Sequence, residues 1–408
     1  MLLDHALLTD PYPELARLRA SAPVHRLRTV DGPSWMLTRE ADIRRALTDP
    51  RLTVERTQAR AGNGGFVLPA PLADNLASRD GTAHTRLRRI TAPTFSARRS
   101  ETLHPHIRAV TERLLAGLAP RRQFDLITDF AIPLPLTIVA DLLGIPARQR
   151  PALTHWTTVM VTHTRHDQLG QAVTAVHHFL THHLTHHSHP TDSLLTSWTR
   201  THHRITPDEL LSLAFQLWWA GIENITHAIA HGTHLLLTPP HHAHTLRTHP
   251  HLIPAVVEEL LRYSAPTVLA APRYARQNLT IAGTPIRAGE TVLLSLASAH
   301  RDPARHTDPD RFDPTRTRTP HLAFGHGPHH CPGAALARIQ MHTALTHLLH
   351  QPGLALADPT GPLRRRTSLR LHGITELPLT HAPGTPEAPN VRQAACPAEA
   401  PGHHHRGR

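Results

Sequence analysis

Residues 206–238, TPDELLSLAFQLWWAGIENITHAIAHGTHLLLT, carry one very long helical pattern, and no other stretch constrains the fold as much. Apolar residues recur along it at helical spacing. Thr206, Pro207 and Glu209 mark its start: a hydroxyl cap, a proline in the first turn and an acid three residues on. Shorter helical patterns cover 10–20, 39–50 and 84–95, and the apolar run 124–144 has prolines near its middle. Strand signals are sparse. SWMLT (34–38) is one. The run 278–298 alternates, carries two glycine turns and reads as a hairpin pair. The last strand-like run is 366–381. The expectation is a mainly α fold with a small β region, one domain over residues 1–381. The Pro-, Ala- and Gly-rich tail 382–408, with Cys396 and a His triplet at 403–405, is expected to be disordered.

Composition narrows the function. Hydrophobic residues are 39% of the 408 and aromatic residues only 4%, so the core must lean on Leu, Ala, Ile and Val. Histidine occurs 39 times, in tracts such as HHFLTHHLTHHSHP (177–190). These tracts read as a compositional bias on solvated faces rather than as metal sites. The formal charge of +12 leaves nucleic acid or an acidic protein as partner. There is no helix-turn-helix signature, zinc-finger spacing or aromatic–basic stripe, which argues for the protein partner. Two cysteines build no disulfide framework. No secretory leader is recognisable, and no segment approaches the roughly 20 apolar residues that span a bilayer. A cytoplasmic protein with no membrane attachment is expected.

The stretch His321 to Gly333, HLAFGHGPHHCPG, holds four histidines and one cysteine. Structural zinc wants four ligands at paired spacings, and adjacent His330 and Cys331 are poorly placed to chelate one tetrahedral ion. A single thiolate can instead hold heme iron. It needs a tight loop that aims backbone N–H groups at sulfur. Gly325 and Gly327 permit that turn, because glycine tolerates positive φ. A helix starting near Gly333 would stabilise the anion through its N-terminus. Gly333 has no side chain to strike a flat porphyrin.

The run Phe324 to Gly333, FGHGPHHCPG, resembles the heme-binding loop of the cytochrome P450 family, and the likeness extends over residues 8–380. It implies the family's fold, with heme b between the long central helix and the helix that follows the Cys loop. Cys331 would be the axial iron ligand, in a loop that also includes Phe324, Gly325 and Gly333. His329 would meet a heme propionate. His84 and Arg88, four apart in DGTAHTRLRR (80–89), and Arg273 in APRYARQ (271–277) resemble the other propionate partners. Glu259 and Arg262 form the family's E-x-x-R pair, with Arg311 of DPDRFDP (308–314) as the third member of the network. Ala220 and Gly221 mark the place where the central helix would open over the heme to admit O2. Glu223 matches the acid of the family's acid–alcohol pair.

The alcohol itself is missing: Asn224 stands where the family usually has threonine. Thr226 cannot replace it, because two residues along a helix turn it about 200° away. The acid–Asn pair resembles the branch that cross-links aromatic side chains in peptides. The reading is therefore oxidative C–C or C–O coupling in a peptide or small aromatic substrate. Hydroxylation or epoxidation of a small natural product is the alternative, and a non-catalytic heme protein the rival from another class. The family position implies a pocket bordered by Trp218, Val268, Leu269 and Ile374, with GNGG (62–65) as a flexible lid. Electrons would come from ferredoxin and a ferredoxin reductase, with Arg338 helping to dock an acidic ferredoxin on a monomeric enzyme.

Overall fold

The structure is a computed structural model that describes residues 8, 10–29, 32–60, 68–162, 166–186, 193–200, 205–316 and 320–381. The expected tail 382–408, the expected lid at 62–65 and part of the His tract 177–190 lie outside them. Fourteen α-helices among the described residues run in chain order. They are α1 (Pro11–Ser21), α2 (Glu40–Ala46), α3 (Gly81–Thr91), α4 (Ala97–Thr102), α5 (His104–Leu118), α6 (Pro133–Leu142), α7 (Arg150–Thr162), α8 (His166–His186), α9 (Leu194–Arg200), α10 (Pro207–Leu237), α11 (Pro240–Thr248), α12 (Ile253–Ser264), α13 (Leu296–His300) and α14 (Ala334–Leu349).

Helix α10 is the long element the sequence announces. Thr206 accepts from the Glu209 N–H and Glu209 accepts from the Thr206 N–H, a complete capping box with Pro207 in the first turn. It packs against α6, α7, α12 and α14. Because it is enclosed on several sides, it is apolar over most of its circumference rather than along one stripe. By contrast the buried apolar residues of α12, Ile253, Val256, Val257, Leu260 and Leu261, line one face at amphipathic spacing, with Glu259 and Arg262 buried beside them.

Strands β1 (Val24–Thr29), β2 (Gly32–Leu37), β8 (Thr291–Leu294), β5 (Arg273–Ala275) and β3 (Leu52–Thr53) form a five-stranded sheet in the order β1-β2-β8-β5-β3. A second sheet orders β4 (Gln123–Asp125), β12 (Pro378–His381) and β9 (Leu354–Leu356). Strands β6 (Leu279–Ile281) and β7 (Thr284–Ile286) pair alone, as do β10 (Arg364–Arg365) and β11 (Ile374–Glu376).

One expectation changes, and the apolar run 124–144 resolves into several elements. The run 278–298 supplies only one hairpin, β6–β7, turned by Ala282 and Gly283 at positive φ. Its third segment, β8, is buried throughout and inserts between β2 and β5, parallel to β2, before the chain turns into α13. The run 124–144 is not one element. Strand β4 and a π-helical turn (Ile127–Ala131) precede α6, whose first turn takes Pro133, where a missing N–H costs nothing.

Candidate active site

The loop before α14 is a closed local fold. The Cys331 N–H donates to the Phe324 carbonyl at 2.8 Å, His330 N–H to Gly327 at 3.0 Å, and Gly325 N–H to Leu322 at 2.8 Å. Gly325 and Gly327 have φ of 72° and 75°, so both glycines are needed for the turn. A Cβ on Gly327 would also lie 2.5 Å from the Thr48 methyl. Cys331 comes out of this turn immediately before α14. Burial pushes its thiol pKa up, while the Gly333 backbone N–H and the positive charges of Arg88 and Arg338 pull it down. A Cβ on Gly333 would meet only the Cys331 sulfur, at 4.0 Å. Burial dominates, so the free thiol is favoured; the N–H and the two cations are the groups that would offset the charge of a thiolate ligand.

Four nitrogen side chains gather beside the loop. The His84 and His329 rings are 4.3 Å apart. Arg88 donates to the His330 carbonyl at 2.7 Å. Arg273 is buried, and its one hydrogen bond among the described residues goes to the Ala271 carbonyl at 2.8 Å. Burial lowers its pKa, with Asp80 opposing. A buried guanidinium held only by a carbonyl is costly unless anionic oxygens reach it. The donor set therefore fits a group that brings carboxylates, as heme does. Asp80 is the member that sequence reasoning missed. It accepts from His329 Nε2 at 2.8 Å, Thr53 Oγ1 at 2.6 Å and the Val54 N–H at 3.0 Å. Burial raises its pKa, but these bonds outweigh burial and hold it well below the usual carboxylate range. A cleft of about 1180 Å³ opens on this side, with His84, Asp80 and Pro328 in its wall.

On α10, Ala220 is exposed and Gly221 and Asn224 are partly so, although the helix around them is buried. Ala220 and Asn224 are four apart and share a face. Glu223, beside them, is buried and paired with Arg366, whose other contact is the Met160 carbonyl at 3.2 Å. Burial raises the Glu223 pKa, and Arg366 and a Trp219 hydrogen bond lower it. The Thr267 hydroxyl donates to Asn224 Oδ1 at 3.0 Å. Thr226 does face away, donating to the Ala131 carbonyl at 3.0 Å.

Several assignments need correction. Helix α10 is unbroken at Gly221. A Cβ there would lie 3.1 Å from the Val139 methyl, so this glycine serves close packing against α6 rather than an opening. Trp218, Val268, Leu269 and Ile374 do not face open space; they are 1%, 3%, 4% and 0% exposed. Trp218 turns toward α7, donating to Thr157 at 3.1 Å. Val268 and Leu269 pack with Leu15, Leu18 and Met36, and Ile374 joins the main core. Around Val268 and Leu269 it is Thr267 and Ala271 that keep exposure.

The E-x-x-R pair is present. Arg262 donates twice to Glu259 at 2.8 Å, and neither side chain has any exposure. Arg311 is not its third side chain. It contributes its carbonyl to Arg262 at 3.1 Å, while its guanidinium turns out to Asp313 and is 67% exposed. Arg316 takes that place, with Nε 3.2 Å from Glu259 and hydrogen bonds to the Thr307 and Asp308 carbonyls. Arg338 is no free docking cation. Glu258 accepts from its Nε and one Nη, at 2.6 and 2.9 Å, and its guanidinium lies 4.6 Å over the Phe324 ring.

A thiol loop at a helix start, a set of donors for carboxylates and a long helix with an acid beside an exposed patch define a heme-thiolate oxidoreductase. The comparisons agree. A family model described as Cytochrome P450 matches residues 152–352. The chain is 36% identical over 380 residues to Vitamin D(3) 25-hydroxylase of Pseudonocardia autotrophica, covering 92% of this chain and 94% of that one. It is 36% identical over 372 residues to Mycinamicin IV hydroxylase/epoxidase of Micromonospora griseorubida, covering 89% and 93%. Among solved structures it resembles the tirandamycin C-bound P450 monooxygenase TamI, with a TM-score of 0.83 and 34% identity over 94% of this chain and 100% of that one. The chain belongs to the cytochrome P450 family. It is an oxidoreductase with heme b as its cofactor, and it uses O2 and electrons supplied by ferredoxin. Among the described residues no helix is long and apolar enough to cross a membrane.

Proposed function

We propose that this P450 hydroxylates or epoxidises a small natural product. The observation that carries the reading is whole-length likeness, at 36% identity, to a hydroxylase and a hydroxylase/epoxidase. This favours oxygen insertion over the peptide cross-linking expected from Asn224. The working unit is a monomeric, cytoplasmic catalytic domain over residues 1–381, with 382–408 as an appended tail.

Heme, when bound, supplies the oxygen-activating chemistry. Cys331 would hold its iron through the sulfur, and Arg88, Arg338 and the Gly333 N–H would balance the sulfur's charge. His84, Arg88, Arg273 and His329 would hold the heme carboxylates, with Asp80 orienting His329. Ala220 leaves room on the inner face of α10. Glu223 holds and releases a proton at its carboxyl, between burial that favours the acid and Arg366 that favours the anion. Asn224 donates from its amide on the same face as Ala220. An amide is a hydrogen-bond donor but a poor proton relay, so protons pass by Glu223 rather than through residue 224.

The test is turnover with ferredoxin, reductase and isotopically labelled O2 against a panel of macrocyclic and polyketide-like compounds and aromatic peptides. A product that gains one labelled oxygen supports the proposal. A peptide product that loses two hydrogens and gains no oxygen would replace it with cross-linking.

A further inference from the structure

The Cys331 loop closes on itself, but the way into it is held from outside. Leu322 opens the loop's hydrogen-bonded turn, and its carbonyl accepts the Gly325 N–H at 2.8 Å. Its own N–H donates to Nε2 of His300 at 3.0 Å. The next N–H, that of Ala323, goes to His321 Nδ1 at 3.2 Å. His300 and Leu322 are each 1% exposed, so water does not compete for the bond between them. A backbone N–H can only donate. Nε2 therefore carries the lone pair, and the proton of the neutral ring sits on Nδ1. That Nδ1 is buried and meets no partner among the described residues. An unmatched buried N–H is costly, and an apolar side chain would fill the place without it. What the imidazole supplies instead is the acceptor for Leu322. The ring is firmly carried: His300 ends α13, and its carbonyl accepts from Arg262 at 2.9 Å. The charged and titratable groups that face it are Arg262 on α12, Arg301 beside it, His306 in the following turn and His321 before the loop. The nearby carboxylate, Glu259, is taken up by Arg262.

We propose that His300 is a positioning residue for Cys331: as a neutral acceptor it fixes the Leu322 end of the loop, and a second ring proton, which would set N–H against N–H, releases that end. The role rests on Cys331 as the iron ligand. His300 acts through the Leu322 peptide. Glutamine at this position keeps an acceptor and cannot take the second proton. Leucine keeps the bulk and loses the acceptor.

Two readouts on the holoenzyme test the two ends of this link: hydrogen exchange of segment 320–333, and the Soret band of the reduced protein under carbon monoxide. Near neutral pH, His300→Leu exchanges the Leu322 N–H about ten-fold faster, the effect of losing one hydrogen bond to a buried donor. Part of its Soret band moves from the thiolate to the thiol position. His300→Gln matches the wild type in both. Below about pH 6.5, the ordinary histidine value, the wild type begins to lose the thiolate band at unchanged helical circular dichroism. His300→Gln keeps the band about one pH unit further down, because an amide does not titrate there. This acid comparison stands even if His300→Leu does not fold. Unchanged exchange in His300→Leu, faster exchange with an unchanged band, or a His300→Gln band lost at the wild-type pH overturns the proposal. If the wild type shows the thiolate band and the variants are silent, this role alone is wrong. If the wild type lacks the band, the iron-ligand reading falls and this role falls with it.

Discussion

Glu259 and Arg262 have no exposed side-chain surface, so removing Glu259 strands a buried guanidinium. Glu259→Ala should cost about 3–5 kcal/mol, the usual penalty for breaking a buried pair. Arg316→Ala should destabilise in the same direction, whereas Arg311→Ala, exposed and facing Asp313, should stay within about 0.5 kcal/mol. Denaturant midpoints of the three variants check this. An Arg311 variant as damaging as the Arg316 one would reverse the assignment. The contrast shows what a sequence reveals at this scale. The turn that carries Cys331 was legible because its chemistry is local: two glycines at positive φ, a proline and a helix start within ten residues. Arg311 was misread because partner choice depends on how 308–316 folds back on α12. Asp80, Arg366 and Thr267 were missed for the same reason. Each meets its partner across more than 40 residues of chain, and nothing in their own neighbourhoods signals it.

The long helix α10 was legible because its start is a sequence motif and its apolar pattern is continuous. Thr206→Ala should therefore weaken the helix start by about 1 kcal/mol, read as a lower denaturation midpoint with unchanged spectra. Which face of α10 meets which neighbour was less legible, because a helix apolar all round does not announce its orientation. Gly373 makes the point. Its position gives no motif, yet a Cβ there would lie 2.7 Å from the His227 ring on α10. Gly373→Ala should push α10 and the segment before β11 apart, at about 1–3 kcal/mol. Hydrogen exchange in α10 should rise around His227 in this variant. Unchanged exchange would mean that the loop moves instead. The strands were the weakest part of the reading, since β8 depends on distant partners β2 and β5 rather than on the hairpin beside it.

At the scale of the whole molecule, the histidine bias has a cost in acid. Some histidines lie inside rather than on solvated faces. Burial, aided by neighbouring positive groups, holds His227 and His231 at about 3 and His306 at about 4. His300 is pushed well below its ordinary value and accepts the Leu322 N–H as a neutral ring at the base of the Cys loop. These rings are neutral when folded but bind protons near pH 6.5 when unfolded. Between about pH 6.5 and their folded pKa values the unfolded chain therefore holds more protons, and stability falls as pH falls. Each fully shifted ring contributes a slope of about 1.4 kcal/mol per pH unit in that window. Denaturation from pH 7.5 to 5 should show a steep loss, reduced in His306→Asn. A flat profile would mean that these rings are not buried neutral. Glu258 acts lower down. Burial raises its pKa, but Arg338 and His321 outweigh this and hold it at about 2. Its contribution is complete above about pH 4.5 and fades as pH falls toward 2.

The most direct test of the central claim is the spectrum of the reduced protein under carbon monoxide, for the wild type and for Cys331→Ala. The account predicts a red-shifted, thiolate-type Soret band in the wild type and its loss in the variant. An imidazole-type band in the wild type, or a thiolate-type band that survives Cys331→Ala, would contradict it.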